Sequence, residues 1–267
     1  MLDALRLYGR YVGASLRAQM QYRGSFLMLA FGHFLITAGE FLGVVALFAR
    51  FGTLTGWTLA EVALFYGLVS CAFALSEAVA RGFDTFSSTI RRGDFDRLLL
   101  RPRSTVLQVA GQELQLLRFG RFAQGAIVLI WSAAALGISW TLPKIVLVLG
   151  TIVGGMCLFC GLFVLQATLC FWTVESLEIM NTMTYGGVET AQYPITAYRT
   201  WFRDFFIYVI PLACVTYFPA LAILNRADPL GSPRWFQWLA PLVGVGFLVI
   251  AAQVWRIGVR HYRSTGS

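Results

Sequence analysis

Charge is scarce in this sequence. Only 13% of its 267 residues are Asp, Glu, Lys or Arg, while 58% are hydrophobic and 22 are phenylalanine. A soluble domain of this length needs more charge than that to cover its surface. Lysine is nearly missing: of 21 basic residues only Lys144 is not arginine. The two histidines, His33 and His261, stand far apart. No GxxxxGK[ST], HExxH or GxSxG motif occurs, so the chain carries no recognisable site for ATP hydrolysis, zinc hydrolysis or a serine nucleophile. The five cysteines, Cys71, Cys157, Cys160, Cys170 and Cys214, all fall in apolar runs. Cys157 and Cys160 have CxxC spacing, but between Met156 and Gly161 in a membrane helix they read as small packing residues. The first residues do not resemble a signal peptide, because arginine continues through Arg6, Arg10, Arg17 and Arg23 without a short apolar core.

What is present is a series of apolar runs near the roughly 20 residues needed to cross a bilayer. The expected fold is all-α and polytopic. Six spans are read at 26–49, 59–80, 122–141, 145–172, 204–224 and 238–257. Residues 2–23 form an amphipathic candidate, with Leu2, Leu5, Tyr8, Val12 and Leu16 on one arc and Asp3, Arg6, Arg10 and Arg17 opposite. The domain plan is therefore an interfacial helix within 1–25, a six-span domain at 26–258 and a tail at 259–267. Gly39 and Gly43, and again Gly150 and Gly154, have the small-xxx-small spacing of close helix packing. Pro143 and Lys144 mark a tight turn. Residues 173–203 read as a second cytoplasmic interval with a break at Gly186–Gly187, and Glu175 and Glu178 within it make only a weak metal pair. Pro211 and Pro219 imply kinks in the fifth span.

The formal charge of +8 does not point to nucleic acid, because the basic residues cluster at the ends of apolar runs, where lipid headgroups lie. With both termini inside, 17 basic residues fall on the cytoplasmic side and four outside, namely Arg50, Lys144, Arg226 and Arg234. That bias sets the orientation.

Two stretches stand out as candidate sites. In the first span His33, Thr37 and Glu40 share one helix face. A carboxylate this deep costs about 2.5–3.5 kcal/mol, so Glu40 is expected to face the bundle interior, a partner or a wet cavity. A substrate or proton role and a structural hydrogen bond both remain open for it. The other stretch is the arginine-rich interval 81–121. Within it GDFDRLLLRP places Phe95, Leu98 and Leu99 on one face of a short helix, with Asp96 and Arg97 opposite, Asp94 as N-cap and Pro102 as the stop. So short a helix must be held by its own membrane base or by a partner. If a cytosolic partner docks there, Phe95 is its natural anchor. An interfacial helix that only closes the loop is the other reading.

In RRGDFDRLLLRPRSTVLQ at 91–108, FWTVES at 171–176, YPITAYRTWFR at 193–203 and YVIPLACVTYFPA at 208–220, the chain resembles the ABC-2-type permeases, specifically a bacterial branch long described only as a domain of unknown function. The resemblance covers nearly the whole chain. It implies a six-helix membrane subunit in the bacterial inner membrane, with an N-terminal connecting helix and cytoplasmic termini. It also implies a loop between helices two and three that docks on an ATPase. Its implied partners are two separately encoded ABC ATPase subunits, a second permease chain (identical or homologous) and membrane lipid. ATP and Mg2+ would sit on the partner ATPase, with no cofactor in this chain. By position, Gly93, Asp94, Phe95, Asp96, Leu98, Leu99, Arg101 and Pro102 would belong to the coupling region, flanked by Arg91 and Arg92. Tyr193, Pro194, Arg199 and Arg203 would shape the second cytoplasmic interval. The function so implied is ATP-driven export. An ion-gradient transporter using Glu40 or Glu77, or a structural subunit, are the alternatives.

Overall fold

The computed structural model describes residues 13, 17, 21, 23–101, 104–111, 118–173 and 177–262, less the side chains of 177–179. The expectations for the helix at 2–23, for Pro102, for Glu175 and the Glu178 side chain, and for the tail from 263 onward fall outside what is described. The described residues are helical, with one bridge between Leu54 and Trp57. In chain order the first helices are α1 (Arg23–Phe51), α2 (Leu59–Asp84), α3 (Phe86–Arg91), α4 (Asp94–Leu99) and α5 (Thr105–Ala110). They are followed by α6 (Phe119–Ala135), α7 (Leu142–Leu169), α8 (Leu177–Ala191) and α9 (Thr200–Asp204). The last three are α10 (Tyr217–Leu224), α11 (Arg234–Leu239) and α12 (Pro241–His261).

The centre is α2. It opens with a capping box in which the Glu61 N–H donates to Thr58 and the Thr58 N–H donates back to the Glu61 carboxylate at 2.8 Å. At 26 residues it is about 39 Å long by the helical rise. It is buried along most of its length, as suits a helix with neighbours on all sides. Helix α6 runs antiparallel along it. Leu129 would stand 2.8 Å from a Cβ on Gly67, and Ser132 donates to the Ala60 carbonyl at 2.7 Å. On another face lies α7, with the Phe73 and Phe159 rings 5.1 Å apart. Helices α7 and α12 run parallel and touch through backbone: a Cβ on Gly154 would strike the Pro241 carbonyl, and one on Gly244 the Gly154 carbonyl. By contrast α1 is mostly exposed, presenting Leu27, Met28, Phe31, Leu35, Ile36 and Leu42 outward.

Among the described residues, four helical segments are long and apolar enough to cross a membrane: α1, Leu59–Arg91, α7 and α12. A bent pair, Thr200–Val209 and Leu212–Leu224, makes five if counted as one span, and the apolar α6 is shorter at 17 residues. The protein is thus a multi-pass membrane protein. Below, the end holding α3–α5 is called the lower end, and the end holding residues 52–58 and 136–141 the upper.

The glycine and turn expectations need amendment. Gly154 is at a close contact, but among the described residues nothing outside the helix itself approaches within 4 Å of a Cβ on Gly150, Gly39 or Gly43. Pro143 and Lys144 are not in the turn; they lie in the first turn of α7, and the chain reverses earlier at Gly137, where φ is +58°.

The larger correction concerns 173–224. Helix α8 runs unbroken through Gly186–Gly187, and it is no surface interval. Asn181 accepts from Gln166 at 3.1 Å near the lower end, Tyr185 packs on Phe73 in the middle, and Thr196 reaches the Tyr217 hydroxyl toward the upper end. The chain then turns back into the bundle along Thr200–Val209 and bends by 69° at Ile210–Pro211. Pro211 has no N–H with which to continue the helix. Tyr217–Leu224 returns upward. Arg203 and Asp204, before the bend, line the same cavity as Asp228 and Ser232 after it. The segment read as a fifth span therefore enters and leaves by one end. Arg199 and Arg203 move to the upper end, so the charge count becomes 15 against six.

Candidate functional site

Two features combine polar chemistry with defined geometry. The interior one is a chain of ions beside α2. Glu77 is fully buried, with Arg118 Nη2 3.2 Å from Oε1 and Arg121 Nη1 3.9 Å from Oε2. Arg121 also reaches Glu40, Nη2 to Oε2 at 3.6 Å, and its guanidinium lies 5.1 Å from the centre of the Phe73 ring. Glu189 on α8 interacts electrostatically with Glu40 and Arg121. One helical turn below Glu77, Arg81 pairs with Asp84, whose carboxylate also accepts from Tyr185 at 3.2 Å and Gln166 at 3.1 Å. In a low-dielectric interior such charges persist only when paired.

Of the three residues expected to form an intramembrane site, only Glu40 joins this ion chain. Thr37 is buried, but its hydroxyl donates to the His33 and Phe34 carbonyls of its own helix at 3.0 and 3.1 Å. Its own carbonyl accepts from Tyr66 at 3.0 Å. His33 is close enough to Arg118 and Arg121 to feel their charge. The residues that complete the ion chain are not singled out by the sequence: Arg118 and Arg121 fall within the arginine-rich interval 81–121, and nothing marks Tyr185 or Gln166. A usable signal existed for the arginines. They are three apart and directly precede an apolar run, the spacing of one helix face.

The second feature is at the lower end. Gly93 begins α4 with φ +69°, a conformation that favours glycine, so Gly93 and not Asp94 holds the N-cap position. Asp94 lies in the first turn and pairs with Arg92 at 3.1 Å. The Phe95 ring has no exposure. It sits in an aromatic box with ring centroids 5.2 Å from Phe86, 5.4 Å from Phe171, 6.3 Å from Trp255 and 4.9 Å from Tyr262. Leu98 is buried too, and its carbonyl accepts from Gln108 at 3.2 Å. Trp255 donates its indole N–H to Thr105 at 3.0 Å. The Tyr262 phenol faces Asp96, and burial followed by that carboxylate pushes its pKa up. Leu99 does not share the buried face; it is 41% exposed, and Leu100 is 85% exposed. Arg91, Arg92, Arg97, Arg101 and Ser104 are exposed beside them.

The amphipathic pattern thus marked a real buried face, but the chain itself buries it. Phe95 is unavailable as an anchor for a partner. What α4 presents outward is Leu99 and Leu100 ringed by arginines, on a rigid aromatic base.

A family model described as ABC-2 family transporter protein matches residues 34–266. The chain belongs to the ABC-2 transporter family. No curated protein and no solved structure matches it. In this ABC-2 family member the matched region takes in both features described above, the ion chain beside α2 and the seated helix α4. Among the described residues no group of three His, Cys, Asp or Glu side chains is arranged to hold a metal ion.

Proposed function

We propose that this chain is the membrane-spanning permease subunit of an ATP-driven exporter in the bacterial inner membrane. In this reading it works with two copies of a separately encoded ABC ATPase and with a second permease chain. Family membership supports the class, and the geometry of α4 carries the coupling role. A six-residue helix would be marginal alone, yet here it is braced by Phe95 and Leu98 and turns Leu99 and Leu100 outward among Arg91, Arg92, Arg97 and Arg101. Apolar residues ringed by cations suit an acidic-rimmed groove on a soluble partner. Force applied to α4 would pass through the aromatic box to Trp255 of α12 and Phe171 after α7.

The membrane plan that accompanies this reading has six crossings, made by α1, α2, α6, α7, α8 and α11 with α12. The bent pair enters from outside, and both termini lie in the cytoplasm. Cargo would pass beside the Glu40–Arg121–Glu77 chain where α1 stands open, with the second permease closing the other side. The test is co-purification with an ATPase encoded nearby. ATP turnover by the complex in nanodiscs should depend on this chain, and export should persist when the proton gradient is collapsed with ATP maintained. Transport by a stable monomer with no ATPase present would overturn the assignment.

A further inference from the structure

At the upper end a cavity of about 440 Å³ opens between α2, the α6–α7 turn and the end of α10. Its lining includes Glu61, Gly137, Ser139, Lys144, Asn225 and Arg226. Lys144 is the chain's single lysine, and it is more than nine-tenths buried at 7% exposure. It makes no hydrogen bond or ion pair among the described residues. The stem is what is buried: the ammonium itself stays open to the cavity, where it can meet a counter-charge.

The nearby acids are already engaged. Glu61 gives Oε1 to Arg226 at 2.9 Å and Oε2 to the Thr58 N–H and hydroxyl at 2.8 and 3.0 Å. Asp228 accepts from the Tyr217 hydroxyl and the N–H groups of Leu230 and Ser232, at 2.9, 3.0 and 3.1 Å. Arg226 is itself fixed, with its guanidinium 3.9 Å from the centre of the Trp57 ring and Nη2 3.1 Å from the Gly56 carbonyl. The cavity is therefore lined by two cations and one carboxylate. Lys144 also lies in the first turn of the 28-residue α7, where the helix dipole adds positive potential. Trp140, 46% exposed, borders the same turn, as an aromatic at the lipid headgroup level should.

We propose that this cavity is an anion site for a phosphate-class oxyanion, with Lys144 as its principal charge and Arg226 as the fixed second cation. An ammonium on a flexible stem suits a compact oxyanion, whereas a guanidinium locked over Trp57 sets one wall. The phosphate belongs either to a lipid headgroup in the adjoining leaflet or to a free anion. The site is independent of the export assignment and would exist in any membrane protein with this geometry.

The lone lysine makes the test direct. Reductive methylation with ¹³C-formaldehyde keeps the charge and leaves one side-chain amine resonance, assigned by its loss in Lys144→Arg. The full chain in detergent micelles is titrated with inorganic phosphate and, separately, with dihexanoyl phosphatidylglycerol. A saturable shift of the Lys144 resonance is expected with at least one of them. A shift with phosphate assigns a free anion, and a shift with the lipid alone assigns a headgroup. By calorimetry, Lys144→Met should bind the active ligand about 10-fold more weakly or worse, and Lys144→Arg within a few-fold of wild type. The melting temperature of ligand-free Lys144→Met should not fall, because Met keeps the buried apolar stem and the ammonium has no hydrogen bond or ion pair among the described residues to lose. Three results would each overturn the proposal: an amine closed to methylation, no shift with either ligand, or equal affinity in wild type and Lys144→Met.

Discussion

The Phe95 ring meets that of Tyr262 edge-on, with centroids 4.9 Å apart and planes at 87°, so the short helix α4 is clamped to the end of α12. Truncating Phe95 empties the middle of an aromatic box. F95A should therefore cost about 3–5 kcal/mol, as for a large aromatic lost from a core. Thermal unfolding of purified protein in nanodiscs should show the loss. The outward residues behave differently. L100A should leave the melting temperature unchanged, because Leu100 is 85% exposed, and weaken binding of the cognate ATPase about 10-fold. Matched amounts of folded wild type, F95A and L100A titrated with ATPase separate the two roles. Unchanged affinity in L100A together with L99A would remove this face from the docking surface.

How much of this was legible beforehand depends on what a side chain faces. The long runs of α1, α2, α7 and α12 announce themselves because hydropathy averages over a helix that is apolar all round. Helix α8 fails that test. Asn181, Thr184, Tyr185, Glu189 and Thr190 make it polar on average, yet Thr184 and Thr190 are buried and Tyr185 bonds to Asp84. Average polarity does not record that the polar face points inward. Phe95 shows the complementary gap: periodicity identifies a face to be buried, but not whether the chain or a partner covers it. In the sequence Lys144 reads only as a topological charge and a turn marker. Its burial arises from the fold of α2 and α10 around it, which no local pattern reveals.

The ion chain predicts an order of sensitivity. Glu77 is fully buried between Arg118 and Arg121, so E77A leaves buried cations without a counter-charge and should destabilise by about 3–5 kcal/mol. Glu40 is 38% exposed at its side chain and 3.6 Å from Arg121, so E40Q should cost far less and still assemble. E40K sets an ammonium against the Arg121 guanidinium and should lower the yield of assembled protein. The exchange E40K with R121E should recover part of that loss. Size-exclusion yield and melting temperature across the four variants provide the check. No recovery in the exchanged pair would show that Arg121 serves Glu77 alone.

Glycine substitutions along α7 and α12 should divide sharply. G154A drives a methyl into the Pro241 carbonyl, and G244A into the Gly154 carbonyl, so either one forces α7 and α12 apart. Each should destabilise by about 1–3 kcal/mol, the usual cost of overpacking. G150A sits one turn away on the same helix with nothing within 4 Å, and it should be neutral in the single chain. Melting temperatures in nanodiscs give the comparison. Equal losses for G150A and G154A would place an unseen neighbour against Gly150.

The bent segment at 200–224 gives the sharpest topological test. Hydropathy reads it as a span that begins inside, which would put Thr200 in the same compartment as Ser104. The contacts place Thr200 at the upper end instead, because Arg203 and Asp204 share a cavity with Asp228 and Ser232. Thr200, Thr53 and Ser104 are all exposed, so single cysteines there should react readily in a background without the five native ones. Thr53 avoids the strained backbone of Gly56, whose φ is +80°. In intact cells an impermeant maleimide should label T53C and T200C alike, and S104C only after the membrane is opened. The remaining charge bias, 15 basic residues below against six above, predicts that the labelled face is the outer one. Labelling of T200C that tracks S104C would show that the segment crosses after all, and α8 would then have to begin and end on the inner side. That second outcome conflicts with the cavity that Arg203 and Asp204 share with Asp228 and Ser232, so the two results cannot be reconciled by a small shift of boundaries.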